Sequence, residues 1–400
     1  MTRVAASHSS VETFRTLLTE PGRQLLSELR EHDPAQELTL ATRLRRDHPA
    51  ELVSAALGQA RLRQRAAAKF GSRAARMYFT PDGVEQATRR SVADRRARRF
   101  AKLGVGRIAD LCCGIGGDAL ALAEAGIAVL AVDRSPLTCA VAEANAAAFG
   151  LADLIEVRCA EVGDTDLSGH DAVFIDPARR GGRGRVFDPE AYSPPLSWAV
   201  DVADRMSHGA VKIAPGIPHE AIPEEAEAEW ISDAGDVKEA VLWFGTGAAG
   251  LRRATLLPGG HSLAGAGLPD PPAGPVGRWL YEPDGAVIRA HLVADVAQQL
   301  DARLLDPTIA YLTADELRST PYATAYEITD ALPFGLKRLR ALLRERETGT
   351  VTIKKRGFAM TPEELRRKLR PSGPNSATVF LTRIAGSPAM LLGHPAPADG

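Results

Sequence analysis

Cysteine is scarce: there are four in 400 residues, at Cys112, Cys113, Cys139 and Cys159. That is too few to staple a fold of this length, and adjacent Cys112 and Cys113 cannot easily bridge each other. The sulfurs read as reduced, buried thiols of a cytoplasmic chain. Long apolar runs are missing as well. None reaches the length of a membrane span, and the opening MTRVAASHSS lacks the apolar stretch of a signal peptide, so neither a membrane nor secretion is expected. The nine histidines are scattered without ligand spacing, which predicts no metal site. A formal net charge of −1 excludes a uniformly basic polyanion binder. Nothing marks an obligate protein partner. What remains is a globular composition, 45% hydrophobic, in a chain long enough for two or three domains.

The most informative stretch is 108–133, IADLCCGIGGDALALAEAGIAVLAVD. Residues 108–112 read as a buried strand. Gly114, Gly116 and Gly117 form a turn where a side chain would keep a ligand from the backbone. A helix over 118–125 is stopped by Gly126, and a second strand over 127–132 ends at Asp133. A carboxylate about 20 residues past such a turn is where a βαβ nucleotide fold holds ribose hydroxyls. The order of these parts predicts an adenosine-binding α/β fold. A dinucleotide would need a helix N-terminus open to its pyrophosphate and a spaced G-x-G-x-x-G. The acid at the head of this turn, Asp110, suits a cationic group instead.

The run D-L-C-C-G-I-G-G-D resembles the first motif of class I S-adenosylmethionine-dependent methyltransferases. The resemblance implies a Rossmann-like seven-stranded sheet and S-adenosyl-L-methionine as methyl donor. It places Asp110, Gly114 and Gly116 on the donor's amino-acid end and Asp133 on its ribose. Further strands are expected at 154–159, 171–175, 210–214 and 239–244, with an antiparallel seventh at 253–257. Glu161 stands after the third strand, where the family carries an adenine-binding carboxylate, usually Asp.

Asp176-Pro177-Ala178-Arg179-Arg180 follows the fourth strand. The matching motif of amino-methyltransferases is Asn or Asp, then Pro-Pro and an aromatic, and its first residue accepts a hydrogen bond from the target amine. This implies that Asp176 and Pro177 carry the chemistry, largely by positioning. The chain departs from that motif at Ala178 and Arg179. The motif also resembles the DPPR of RNA uracil-C5 methyltransferases, but those need a cysteine nucleophile and no cysteine follows the fifth strand here. Arg179, Arg180 and Arg183 read as a phosphate clamp, Phe187 and Tyr192 as stacking aromatics, and Trp198 as core.

Charge is unevenly spread. Residues 61–102 hold thirteen bases against three acids, and 335–370 hold twelve against four. Two basic segments beside a near-neutral core suit a polyanion. Region 1–103 is helical by pattern, over 11–30, 37–46 and 51–68. Its Glu85-Gln86-Ala87-Thr88 resembles the lead-in of the trimethylguanosine synthase group, which lids the donor pocket. A methyltransferase domain is expected over 104–257, a Gly/Pro-rich linker over 258–275, and an α+β region over 276–400. Within that region, about 325–395 resembles the THUMP-like domain of certain bacterial methyltransferases, which implies contact with structured RNA.

Together these readings predict a methyltransferase acting on a base nitrogen of structured RNA, tRNA or rRNA. Two rivals stay open. One is a ribose 2′-O-methyltransferase using Lys69, Asp176, Lys212 and Glu239. The other is a catalytically inactive donor- or RNA-binding protein. A small-molecule acceptor is disfavoured by the basic C-terminal module.

Overall fold

The computed structural model describes residues 2–31, 33–178, 180–181, 184–185 and 188–397. The chain divides into two compact units, 1–226 with 241–249 and 227–240 with 250–400.

The first unit opens with helices. The single helix expected over 11–30 is two, Thr2–Thr16 and Glu20–Glu28. Thr19 caps the second by accepting from the Gly22 N–H, and Pro21 supplies its first turn. Helices Glu37–Leu44 and Ala50–Phe70 follow, the latter ending at Gly71. Pro81–Gln86 and Arg90–Lys102 lead into the sheet.

The sheet strands are β1 Arg107–Leu111, β2 Ala128–Asp133, β3 Ile155–Cys159, β4 Ala172–Ile175 and β5 His208–Ile213. Then come β6 Glu227–Asp233, β7 Asp236–Phe244, β8 Arg252–Leu257 and β9 His261–Gly265. Their order is β9-β8-β6-β7-β5-β4-β1-β2-β3. This is the expected methyltransferase α/β sheet with two more strands than the seven anticipated. β6 was hidden by its glutamates, since EAEWISD reads as a half-solvated edge. Glu227 and Glu229 are instead wholly buried, paired with Arg253 and accepting from the Thr255 hydroxyl. Residues 252–257 are therefore not an antiparallel seventh strand. β8 runs parallel to β6 and antiparallel to β9. Nor is 258–275 wholly a linker, because β9 lies within it.

Register sets the site. β1 pairs in parallel with β2 and β4, placing Leu111 opposite both Val132 and Ile175. β2 places Asp133 opposite Cys159, and β4 places Ile175 opposite Val211. The residues that follow these pairs, 112–117, 160–161, 176–178 and Lys212, therefore emerge along one carboxyl edge, where open α/β sheets bind ligands.

The second unit holds a seven-stranded sheet. Its strands are β10 Trp279–Pro283, β11 Arg303–Asp306, β12 Ile309–Ala314, β13 Ala323–Pro333, β14 Thr348–Lys355, β15 Asn375–Ile384 and β16 Ser387–Pro395. Their order is β11-β12-β10-β13-β16-β15-β14. Helices Leu336–Glu345 and Pro362–Leu369 bury Leu339, Leu343, Leu365 and Leu369 in one core with β14 to β16. The second helix begins with a reciprocal Thr361–Glu364 capping box. Among the described residues, no helix is long and apolar enough to cross a membrane.

Candidate active site

A cavity of about 1040 Å³ opens at the carboxyl edge, wholly within the first unit. The glycine turn, Asp133, Glu161, Asp176, Pro177 and Lys212 line it from the sheet, and 80–88 from the lead-in.

Gly114 and Gly116 adopt φ of +56° and +79°, the left-handed region that favours glycine. A Cβ on Gly114 would meet nothing within 4 Å, so the turn leaves open space beside the cavity. Gly116 N-caps helix Gly117–Glu124 and packs on Ala142 rather than lining the cavity. Cys112 shares the left-handed conformation, at φ +63°. Burial, and then the carboxylates of Asp176, Asp133 and Asp110, push its thiol well above the ordinary range, so it stays protonated. Cys159 departs from the expected burial and is exposed.

Asp133 accepts from the Gly114 N–H at 3.1 Å and the Ser135 N–H at 2.9 Å. These bonds fix the turn to the end of β2 and leave the carboxylate capacity for further donors. Glu161 is exposed on the cavity wall at the head of the short 3₁₀ turn Val162–Asp164.

Asp110 differs from the expectation in one respect: it lies beneath the turn and does not line the cavity. It is fully buried, and neither carboxylate oxygen has a hydrogen-bond partner among the described residues. Burial, and next the charge of Asp176, raise its pKa to about 7. An unpartnered buried carboxylate is costly unless a cation reaches it. With Asp133 and Asp176 it gives this edge of the sheet a negative character that fits a cationic ligand. The residues present therefore fit S-adenosyl-L-methionine, which carries both an ammonium and a sulfonium.

On the opposite wall, Asp176 follows β4 with its side chain 23% exposed. Lys212 Nζ donates to Asp176 Oδ2 at 2.7 Å and to the Thr88 hydroxyl at 3.0 Å, and the lysine is only 5% exposed. Pro177 is buried, and Ala178 exchanges two backbone hydrogen bonds with Ser193. That pairing brings Ser193, Pro194, Pro195 and Trp198 onto the cavity wall. Trp198, expected in the core, is thus a half-buried wall residue, because helix Leu196–Asp204 starts beside the site. Tyr192, expected to stack on a base, is buried instead at 4% exposure. Arg179, Arg183 and Phe187 lie outside the described residues. Arg180 belongs to a two-residue strand paired with Gly184–Arg185.

The 2′-O tetrad assembles only in part. Asp176 and Lys212 meet, but Lys69 Nζ donates to the carbonyls of Glu85 and Ala87 at 2.6 and 2.9 Å. Neither Lys69 nor Glu239 lines the cavity. Sequence reasoning missed Trp198 as a site residue, and placed Thr88 only in the lead-in over the pocket, without its contact to Lys212. The DPARR motif gave no sign of them, since they lie 88 residues upstream and 22 residues downstream of Asp176 and reach it only through the fold.

Three family models match this chain. Residues 105–184 match RNA cap guanine-N2 methyltransferase, 323–395 match the THUMP domain-like family, and 10–66 match a domain of unknown function. Two curated relatives come from Mycobacterium tuberculosis, strains CDC 1551 / Oshkosh and ATCC 25618 / H37Rv. Each is described as an uncharacterized S-adenosylmethionine-dependent methyltransferase, and each is 38% identical over 339 residues, 82% of this chain and 92% of the relative. The crystal structure of a protein described as a methyltransferase from Porphyromonas gingivalis W83 superposes with a TM-score of 0.74. It is 19% identical and covers 98% of this chain and 99% of its own, which shows a shared fold. On the strength of the mycobacterial relatives, the chain belongs to the S-adenosylmethionine-dependent methyltransferases.

Proposed function

We propose that this enzyme methylates a base nitrogen of structured RNA, tRNA or rRNA, by direct in-line transfer. The observation that carries the reading is the placement of Asp176. One of its oxygens is held by Lys212 at 2.7 Å, and its carboxylate faces the cavity that Gly114 and Asp133 also line.

S-adenosyl-L-methionine, when bound, supplies an electrophilic methyl group. Gly114 would meet its amino-acid end, with Gly116 shaping the turn and buried Asp110 supplying a countercharge from beneath it, while Asp133 would hold its ribose and Glu161 its adenine edge. The acceptor amine donates one N–H to Asp176 and another to the backbone carbonyl of Pro177. Two fixed acceptors turn the nitrogen lone pair toward the methyl, and that alignment is the main source of rate in an in-line displacement. The new N–C bond would form as the donor's sulfur–methyl bond breaks to leave a neutral thioether, and the excess proton of the then-cationic nitrogen would pass to Asp176. Lys212, anchored by Thr88, fixes the carboxylate's orientation.

The acceptor wall supports a planar substrate. Trp198, Pro194 and Pro195 offer flat apolar surface beside Asp176. They take the place of the aromatic that the DPARR motif lacks. RNA is favoured by the match of 105–184 to cap guanine-N2 methyltransferases and of 323–395 to THUMP-like domains. Within the second unit, Lys337, Arg338, Arg344, Arg366, Arg367 and Arg370 are all exposed. Arg179, Arg180 and Arg183 are assigned to phosphate on sequence grounds alone.

The test is to incubate purified protein and radiolabelled S-adenosyl-L-methionine with total RNA from a host lacking the gene, then digest to nucleosides. Label in a base-modified nucleoside is the expected result. Label on the ribose, or none despite donor binding by calorimetry, would overturn the reading.

A further inference from the structure

The basic run at 61–102 is largely consumed by internal partners. Arg61 pairs with Glu37, Arg65 with Glu85, Arg73 with Glu124, Arg90 with Asp94 and buried Arg96 with Asp118. Arg63 and Arg76 are different. Among the described residues neither has a carboxylate partner; Arg63 Nε donates to the Met77 carbonyl at 2.8 Å and Arg76 to the Ala148 carbonyl at 2.6 Å. Both line a second cavity, of about 220 Å³, together with Arg23 and Arg30 from the first helices. Among the described residues, Arg23 alone of these four forms an ion pair with an acid, the exposed pair with Glu20. Ser27 and Tyr78 complete the polar lining. Burial pulls the Arg63 guanidinium below its usual pKa, Tyr78 offsets this in part, and nearby Arg30 adds to the drop. Four arginines thus line one small space, and Arg30 lies near enough to Arg63 for their charges to oppose each other, which an anion between them would relieve. Their planar forks match the oxygens of a phosphate.

The place of this cavity adds a second argument. Tyr78 lines it, while Thr80 lines the active-site cavity. Two residues of extended chain span at most about 7 Å. Buried Asn145 ties the two sites: it accepts from the Tyr78 N–H at 2.7 Å and donates to the carbonyls of Tyr78 and of Ile115, which lines the active site. The cavity is open to solvent through exposed Arg23, Arg30 and Arg76, as suits a group carried on a polymer.

We infer that the four-arginine cavity formed by Arg23, Arg30, Arg63 and Arg76 binds a backbone phosphate of the RNA substrate. This rests on the proposed RNA methylation and gives the N-terminal region a part in it. An anion there would sit beside the segment that walls the active site, so it would fix the register of the strand entering that site.

The test uses the full chain with Arg23→Gln/Arg30→Gln, both exposed and outside the catalytic machinery, and Arg63→Lys as a second variant. Binding of a short fluorescein-labelled RNA hairpin is followed by anisotropy across a salt series. Inorganic phosphate is titrated by calorimetry in parallel. The double variant is expected to bind the hairpin about tenfold more weakly, with a salt slope smaller by roughly one, and to bind S-adenosyl-L-methionine as before. Unchanged hairpin affinity and slope overturn the proposal, even if wild type methylates RNA. Inorganic phosphate bound by wild type and lost in the variant, with hairpin binding unaffected, makes this a free-anion site and also overturns it. A charge-dependent hairpin interaction in a protein that transfers no label to RNA supports the cavity while refuting the proposed function.

Discussion

The two walls of the active-site cavity are built in opposite ways. The donor wall is local: the glycine turn and Asp133 come from 26 consecutive residues, and backbone N–H groups hold the acid in place. The acceptor wall is assembled from afar, with Thr88, Asp176, Trp198 and Lys212 drawn from four separate elements. On the donor wall Asp133 is held by nearby backbone N–H groups, whereas the acceptor wall depends on side chains meeting across the fold. On the proposed assignment, most of donor recognition would be written into one short motif, while acceptor choice would be a property of the tertiary structure.

If the walls are separable, each should fail alone. Asp176→Ala is expected to lower kcat by roughly 10²–10⁴-fold, the usual worth of a positioned proton acceptor, with donor affinity retained. Turnover can be read by label transfer and donor binding by calorimetry. A matching loss of donor affinity would erase the division. Asp133→Ala is the mirror case: losing charge-assisted bonds worth about 1.5–3 kcal/mol each should weaken donor binding by roughly 10²–10⁴-fold for two ribose hydroxyls. The acceptor KM should hold. Trp198→Ala should raise the acceptor KM with kcat less affected, since a stacked base is worth about 1–3 kcal/mol. An unchanged KM would remove Trp198 from the acceptor wall.

The smallest effect concerns pH. Asp110 has a folded pKa of about 7, above its unfolded value, so the folded state without donor holds a proton that the unfolded state has released. Stability of the donor-free protein should therefore fall as pH rises from the ordinary carboxylate range through 7. Donor binding has the opposite sign, because the cation favours ionised Asp110, and should tighten several-fold between about pH 6 and 7.5. Asp110→Asn should abolish both dependences in thermal-melt and calorimetric series. Retained pH dependence in that variant would place the titration elsewhere.

The same contrast explains what the sequence made legible. Strands β1, β2, β4 and β5 were readable because buried parallel strands are short apolar runs, whereas the largely exposed edge strand β3 was read from its place after the second helix. The turn was readable because only glycine serves there. β6 was not, because its glutamates are buried against Arg253 and Thr255, a long-range pairing that no local pattern announces. Trp198 sat in an apolar helical stretch, and nothing local distinguishes a helix facing the core from one whose first turn reaches a cavity. Charge counting was the least informative. It flagged 61–102 as a polyanion surface, yet Arg96 is wholly buried against Asp118 and over the Phe174 ring at 4.1 Å.

Gly83 stands so close to the donor turn that a Cβ there would come within 2.5 Å of Ile115. Five residues on, Thr88 holds the lysine that holds Asp176. The lead-in is therefore masonry common to both walls, and the motif-bearing stretch 104–257 is not a portable module. Anyone grafting this methyltransferase onto a different domain, or trimming it for crystallisation, must carry the residues before β1 along with it.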